Sequence, residues 1–509
     1  MTTYKLTRNE GVPGSSPGVG FDAVKSGSRG CAGHDDFTAL PVWRRAFSAA
    51  SGEAGRGVQR QVVGLGSTSS ERDNPLVADS LLDASVAPEL RAALDEAGYR
   101  PAELTKLLRG SGAWLAGRPA PLRVLRLAAE HDPLAVLIRL LVLSKPVEAE
   151  RLPIAGELLE RAGIGECRDG LISPRAVLLP YDDLLLAFDG PLVGADEVLR
   201  AGFETRRMAG LTPRRRRSSA LDVGTGGGYH ALLASAHSER VVATDISPRA
   251  LAFAAFNLAL NGVTNVELRW GSWFEPVEGE RFDLVVSNPP YAVSPESRLL
   301  YRDAGLARDE VSGLVVRGAA DMLTPGGIGV VAASWIVDDD LVETPRRWLA
   351  GAGCDAWVFH IGTETALASA VAWNEDVPET EHAERVARWL DYYRSERIES
   401  LGYGVLVLRR SETNRPWLRV ADLPRTRGGP RAGEHVERMF RGVDLADRGP
   451  GKPAQGVSLQ VRRRWVDGQW EDEEALLVCE EGIPFRVPPG DGNGAAARRL
   501  VELGLLEPA

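Results

Sequence analysis

At 509 residues, with 44% hydrophobic and 26% charged side chains, the chain is globular in composition and too long for one ordinary domain, so two or three are expected. Its four cysteines (Cys31, Cys167, Cys354, Cys479) are far apart and form no CxxC pair, which argues against a disulfide framework or a zinc site and fits a reducing cytoplasm; no metal site is expected. A net charge of −10 does not advertise nucleic-acid binding, and no window holds the roughly 18 uninterrupted apolar residues of a membrane span, nor an apolar export segment.

Residues 1–75 are rich in Gly, Ser and Arg and lack sustained apolar periodicity; they are expected to form a disordered extension, since so little apolar surface does not offset the entropy of ordering. Residues 76–195 are expected to form a mainly helical domain. Pro88-Glu89 and Pro101-Ala102-Glu103 place proline in a first helical turn, and Leu122, Leu125, Leu127 and Ala128 lead to an apolar face of Leu134, Val136, Leu137, Leu140 and Leu141. Gly170-Leu171-Ile172, Ala176 to Leu179 and Leu184 to Phe188, with a turn at Pro180 to Asp183, suggest a hairpin. Helices followed by a hairpin are compatible with a winged-helix-like module or with a helical cap on a second domain.

That second domain is expected over 196–410. Buried strands at 220–223, 241–245, 265–270, 282–287 and 327–333 alternate with helices, a rhythm that implies a mainly parallel α/β sheet. Pro248 opens one of the helices, and Asn261-Gly262 stops it. Ala356 to Phe359 and Val405 to Leu408 complete the sheet as a late pair, with a charged helix over 379–400 between them. Residues 411–509 are expected to be a small α+β appendage. It has turn-rich loops at Arg427 to Pro430 and Gly449 to Pro453, strand-like segments at Leu459 to Val466 and Ala475 to Cys479, and a last helix near Ala495 to Leu503. Basic clusters at Arg214 to Arg217 and Arg462 to Arg464 are expected to be solvated linker or strand-edge arginines.

Two strand ends carry chemistry. Ala220-Leu221-Asp222-Val223 runs into Gly224-Thr225-Gly226-Gly227-Gly228, a tight strand-to-helix turn where the backbone can approach a ligand. The dinucleotide fingerprint would need a glycine at 229, where Tyr229 stands, and Asp222 would repel a pyrophosphate but attract an amino group. Asp245, followed by Ile246, closes the next strand, where a carboxylate accepts both hydroxyls of a ribose. A ligand with a ribose and an α-amino group but no phosphate fits S-adenosylmethionine. At the end of Phe282 to Ser287, Asn288-Pro289-Pro290-Tyr291 stops a strand abruptly, because neither proline can donate to a ladder. The Asn288 amide oxygen and the Pro289 carbonyl can both accept from one planar NH2 group, with the Tyr291 ring against its face.

These motifs, Asp222 to Gly226, Asp245, Gly271-Ser272-Trp273-Phe274 and Asn288 to Tyr291, resemble those of a class I S-adenosylmethionine-dependent methyltransferase over about residues 220–335. Within that fold they resemble the small methyltransferase domain and release-factor glutamine methyltransferase group, together with the N6-adenine and rRNA-base enzymes. The resemblance implies a Rossmann-like sheet and a cofactor site of Asp222, Gly224, Thr225, Gly226, Asp245, Ile246, Ser272, Trp273 and Asn288. It implies a catalytic group of Asn288, Pro289 and Tyr291. Glutamine methyltransferases usually show Asp-Trp-Phe where this chain has Ser272-Trp273-Phe274, so an acidic contact to the adenine amino group becomes a hydroxyl. Trp273 either lines the adenine slot or packs in the core.

Three functions follow as expectations. The first is N-methylation of a protein glutamine side chain. The second, favoured by the basic clusters and the winged-like segment, is N-methylation of a base in rRNA, tRNA or DNA. The third is a cofactor-binding regulatory or scaffold protein, which the intact Asp222, Asp245 and Asn288 disfavour. The Tyr301-Arg302-Asp303 segment is expected to be an ordinary surface loop. Nothing in the sequence sets the oligomeric state.

Overall fold

The computed structural model describes residues 82–508 apart from 109–131, 191–195, 297–298, 301, 304, 376–377, 414, 424–431, 446–449, 454–456, 467–468, 480–483, 487–501 and 504. The expected disordered extension, the Leu122 to Ala128 segment, the loop at Arg427 to Pro430, Tyr301 and all but Glu502 and Leu503 of the expected last helix lie outside the described residues.

The described part begins with α1 (Ala87–Glu96), α2 (Pro101–Leu108) and α3 (Pro133–Leu141), all three with proline in the opening turn. The short strand β1 (Val147–Glu148) and α4 (Gly156–Arg161) precede β2 (Gly165–Arg168) and β3 (Leu171–Pro174), which form an antiparallel sheet in the order β1-β3-β2. The expected hairpin is β4 (Ala176–Tyr181) with β5 (Leu184–Asp189), turning at Asp182 with φ 52°. Leu171 and Ile172, expected beside that hairpin, belong instead to the β1-β3-β2 sheet, where Ile172 faces Val147 and Cys167.

After α5 (Phe203–Leu211) comes the alternating unit: β6 (Arg217–Val223), α6 (Tyr229–Ser235), β7 (Ser238–Asp245), α7 (Pro248–Leu260), β8 (Val266–Trp270) and β9 (Phe282–Ser287). It continues through α8 (Glu310–Met322), β10 (Leu323–Val337), α9 (Glu343–Leu349), β11 (Cys354–Thr365), α10 (Ala366–Ala372), α11 (Glu379–Ser395) and β12 (Ser400–Arg410). With β13 (Leu418–Asp422) these strands form one eight-stranded sheet, ordered β13-β11-β12-β10-β9-β6-β7-β8. β8, β7, β6, β9 and β10 run parallel, and β12 is inserted antiparallel between β10 and β11. A parallel sheet with one reversed strand, β12, is the Rossmann-like arrangement expected from the βαβ rhythm. β13 lies beyond residue 410, yet it pairs with β11 in register from Ala356–Leu418 to His360–Asp422.

Parallel strands covered by helices on both faces must be apolar throughout, and Leu221, Val223, Val241 to Ala243 and Leu284 to Val286 are all buried. One face of the sheet shares its core with the amino-terminal elements, and the other packs against α8 and α9. A third, smaller cluster of Val293, Ile336, Trp389, Tyr393 and Leu401 lies under α11.

The amino-terminal elements are fastened to α7 by two amides. Asn257 Oδ1 accepts from Ala187 N (2.6 Å) while its Nδ2 donates to the Ala187 and Gly227 carbonyls, so β5 and the glycine turn share one buried side chain. One helical turn on, Asn261 accepts from Leu185 N (3.1 Å) and donates to Leu185 O (2.7 Å). Arg249 pairs with the buried Asp189 at the end of β5. Toward the carboxyl end, α12 (Ala432–Leu445) reaches α5 at Gly433, where an added Cβ would lie 2.3 Å from the Thr212 carbonyl. The expected loop at Gly449 to Pro453 contains a strand, β14 (Pro450–Pro453), paired with the carboxyl-terminal Leu506–Pro508. The long strands Val457–Val466, which carries Arg462 to Arg464, and Gln469–Cys479 pair antiparallel. Among the described residues, no helix is long and apolar enough to cross a membrane.

Candidate active site

The strand order reverses direction between β6 and β9, so their carboxyl ends open a crevice, the place where open α/β sheets bind ligands. Val223 and Ser287 are register partners there, and Ser287 Oγ donates to Val223 O at 2.9 Å. The two motifs therefore meet: the glycine turn leaves β6, and Asn288 leaves β9.

In the glycine turn, Gly224, Gly226 and Gly228 have φ of 68°, 54° and 83°, the left-handed region that favours glycine. Gly224 N and Thr225 N both donate to Thr244 O at 2.9 Å, and Gly226 N donates to Asp245 Oδ2 at 2.8 Å. Asp222 is buried beneath the turn. Its Oδ2 accepts from Thr225 Oγ1 (2.6 Å) and Ala231 N (3.0 Å), whereas Oδ1 has no hydrogen-bond partner among the described residues. Burial pushes its carboxyl up to about 7, with the two bonds opposing and neighbouring Asp245 adding to the rise. Burial also holds the Asp245 carboxyl above its usual range, against bonds from the Ser247, Gly226 and Ile246 amides.

Asp245 ends β7 opposite Trp270, and Gly271 N donates to Asp245 O (3.0 Å), starting the turn that carries Ser272 and Trp273. Trp273 has φ 48°, a left-handed conformation that is costly for a bulky residue. Its carbonyl accepts from Thr244 Oγ1 at 3.3 Å, and its half-buried ring packs against the α8 face of the core. Beside it, Phe274 lies on Gly318 of α8 so closely that an added Cβ would meet its ring at 2.0 Å. Ser272 is half-buried, and its carbonyl accepts from Glu275 N. Ile246 (55% exposed) and Trp270 (48% exposed) are large apolar side chains left open beside Asp245, joined by a 2.9 Å bond from Trp270 Nε1 to Ile246 O. Trp270 escaped the sequence reading because it closes β8, one residue before the Gly271 to Phe274 motif begins.

At the other strand end, Asn288 Nδ2 donates to Thr205 Oγ1 (3.1 Å) on α5, while Asn288 Oδ1 is buried without a hydrogen-bond partner among the described residues. Pro289 is buried, and Tyr291 is half-buried with its ring edge-on to Trp373, centroids 6.0 Å apart. Burial raises the Tyr291 hydroxyl well above its usual range, Glu204 adding to the rise and Arg207 opposing it, so the ring is neutral. Thr205 and Trp373 could not have been found by pattern: they lie 83 residues before Asn288 and 82 after Tyr291, and only the packing of α5 and α10 brings them in.

The expectation of an ordinary surface loop after the motif is corrected for Arg302 and Asp303. Both are buried: Arg302 pairs with Asp303 (2.7 Å) and Glu296 (2.8 Å), donates to Trp373 O (3.1 Å), and lies 5.3 Å from the Trp389 ring centre. Polarity alone suggested exposure, but a complete set of partners makes burial tolerable. Of the Arg214 to Arg217 cluster, Arg217 is likewise drawn into β6, where it meets Glu437 at 3.3 Å.

A family model described as "Methyltransferase small domain" matches residues 205–336, the segment that holds both motifs. The chain is 30% identical over 240 residues to a release factor glutamine methyltransferase of Xylella fastidiosa (strain 9a5c), a match covering 43% of this chain and 86% of that protein. It is 42% identical over 124 residues to a release factor glutamine methyltransferase of Cereibacter sphaeroides, covering 22% of this chain and 44% of the relative. It is also 35% identical over 158 residues to a ribosomal protein uL3 glutamine methyltransferase of Bradyrhizobium diazoefficiens, covering 28% of this chain and 49% of the relative. The chain belongs to the class I S-adenosylmethionine-dependent methyltransferases, in the release-factor glutamine methyltransferase group with the Asn-Pro-Pro-Tyr motif. It is thus an enzyme with S-adenosylmethionine as its cofactor, not a scaffold.

The residues present fit that cofactor. Nothing lies within 4 Å of where a Cβ would stand at Gly224 and Gly226, and the unpartnered Asp222 Oδ1 and the Asp245 carboxylate supply acceptors that suit an amino group and ribose hydroxyls and would repel a phosphate.

Proposed function

We propose that the enzyme methylates the side-chain amide nitrogen of a glutamine in a protein, with Asn288, Pro289 and Tyr291 holding that amide. The observation that carries this reading is the buried, unpartnered Asn288 Oδ1 beside the glycine turn, an acceptor waiting for a donor. An incoming planar NH2 would satisfy it.

Asp245 would hold the ribose hydroxyls, Asp222 the amino group through the turn it braces, and Gly224, Thr225 and Gly226 the backbone wall. Ile246, Trp270 and Trp273 would flank the adenine, and Ser272 would offer a hydroxyl where relatives of the group carry an acid. When bound, the cofactor supplies an electrophilic methyl group. An amide nitrogen is a poor nucleophile because its lone pair is delocalised. Hydrogen bonds from its NH2 to Asn288 Oδ1 and the Pro289 carbonyl would return electron density to nitrogen and stabilise the positive charge that develops there, using dipoles already fixed in place. Tyr291, braced edge-on by Trp373, would orient the flat acceptor. The proton can leave afterwards to water, so no strong base is needed.

A protein acceptor is supported further by the names of the relatives and by the charge of the amino-terminal module. The β1-β3-β2 sheet with α4 has the order of a small winged module, but α4 presents Glu157 and Glu160 against a single Arg161 and so no basic face. We therefore assign 76–195 to acceptor recognition or capping, 196–410 to catalysis, 411–509 to support of the catalytic sheet, and the enzyme to the cytoplasm. Incubating the protein with labelled cofactor and unmethylated release factor, ribosomal protein, rRNA and tRNA, then digesting enzymatically, tests the reading. Label in methylglutamine supports it; label in a methylated base overturns it in favour of a nucleic-acid acceptor.

A further inference from the structure

We infer that Thr205 is a positioning residue for methyl transfer, fixing the plane of the Asn288 amide; this rests on the acceptor role proposed for Asn288. The Asn288 side chain has two polar atoms, and the bond from Nδ2 to Thr205 Oγ1 is what orients it, since Oδ1 has no hydrogen-bond partner among the described residues. A twist of the amide out of that plane would carry Oδ1 off the line to the acceptor's NH2, and less electron density would return to the reacting nitrogen; the Thr205 hydroxyl, able to accept or donate, fixes the plane, and the acceptor's NH2 selects the end that faces it. The backbone cannot prevent this, because Pro289 restricts the Asn288 main chain but not its terminal torsion, which is broad by nature.

Thr205 is suited to the task by what holds it. It lies in the first turn of α5, whose Met208, Ala209 and Leu211 are buried in the core and whose Arg207, also buried, sits 4.5 Å from the Phe203 ring centre. The far end of the helix is clamped where Gly433 seats on the Thr212 carbonyl. Its β-branched side chain also has few rotamers in a helix, so the hydroxyl oxygen is presented at a defined point. The catalytic amide at the end of β9 is thereby set by a helix from before the first strand of the sheet, and the two come together only in the folded enzyme.

The test compares Thr205→Val, Thr205→Ser, Asn288→Ala and the Thr205→Val/Asn288→Ala double variant with purified unmethylated release factor as the acceptor. Valine keeps the shape and removes the hydroxyl. It is expected to lower kcat roughly three- to tenfold, the worth of one neutral hydrogen bond, with the acceptor KM, the cofactor Kd and Tm unchanged. Serine is expected to restore the rate to within about twofold of wild type, and valine to cost nothing further in the Asn288→Ala background, as two members of one unit behave. In parallel, the Asn288 side-chain NH2 signals, identified by their loss in Asn288→Ala, are expected to move in Thr205→Val and stay in place in Thr205→Ser. A Thr205→Val enzyme with wild-type kcat, an equal loss on top of Asn288→Ala, or unmoved amide signals overturns the role of Thr205. Asn288→Ala turning over at the wild-type rate overturns instead the reading beneath it. If wild type leaves the release factor unmethylated, that acceptor falls and the amide signals alone decide Thr205.

Discussion

The carboxyl ends of β6 and β9 lie side by side and are built in opposite ways. After β6, Gly224, Thr225 and Gly226 donate to Thr244 and Asp245, Asn257 braces Gly227 from below, and Asp222 ties Thr225 to the start of α6. Nearly all of that wiring is local or within one βαβ unit. After β9, Asn288, Tyr291 and Arg302 meet partners from α5, α10 and α11, and the buried Asn288 Oδ1 is left without a hydrogen-bond partner among the described residues. A cofactor that is the same in every turnover suits a self-contained cradle. An acceptor that must be chosen suits a site assembled from distant segments, which can change without disturbing the cradle.

If the two halves are separable, the largest effect on stability should come from the acceptor side alone. Arg302→Ala leaves Asp303 buried without its cation, while Glu296 keeps only the longer pairing with Arg388 at 3.4 Å, which is expected to cost about 3–5 kcal/mol in denaturant unfolding. Calorimetric affinity for S-adenosylmethionine in the folded variant should stay within a few-fold. A parallel loss of cofactor affinity would mean that the halves are coupled. On the cofactor side, Asp245→Ala should weaken binding by about 1.5–3 kcal/mol through lost charge-assisted hydrogen bonds, read by the same titration.

A smaller effect should appear in pH dependence. The folded Asp222 carboxyl is pushed up to about 7, so between the ordinary carboxylate range and neutrality the folded state holds a proton that the unfolded chain has released. Its contribution to stability is therefore fully present at low pH and is lost as pH rises toward about 7. Asp222→Asn should remove that slope and melt higher than wild type above neutrality, while binding cofactor more weakly, since the amino group loses its counter-charge. Wild-type affinity should in turn fall as pH drops below about 7, read by titration across pH; a flat profile in both stability and affinity would show that Asp222 is only a brace.

The same contrast explains what could be read from the sequence. The strands at 282–287, 241–245 and 220–223 were legible because burial on both faces demands unbroken apolar runs, and β6 and β7 merely begin three residues earlier than expected. Helix α7 announced itself through Pro248 and Asn261-Gly262. The glycine turn proposed as the cofactor cradle was legible because its parts are adjacent in the chain. Thr205, Trp373 and the buried Arg302 were not, because each owes its place to an element packed from elsewhere, and polar residues carry no local mark of a buried partner. The joining of β13 to the sheet was hidden for a related reason: Leu418 to Asp422 is short and only partly apolar, and its pairing with β11 is a tertiary choice.

The division of labour between the two strand ends is tested most directly by Asn288→Ala, measured in one preparation for cofactor Kd and for single-turnover methylation of the identified acceptor. The expected result is a rate lowered about a hundred- to a thousandfold, as for loss of one preorganised hydrogen-bonding group at a reacting centre, with Kd within a few-fold of wild type. A variant that methylates as fast as wild type, or one whose loss of rate is matched by loss of cofactor affinity, would contradict it.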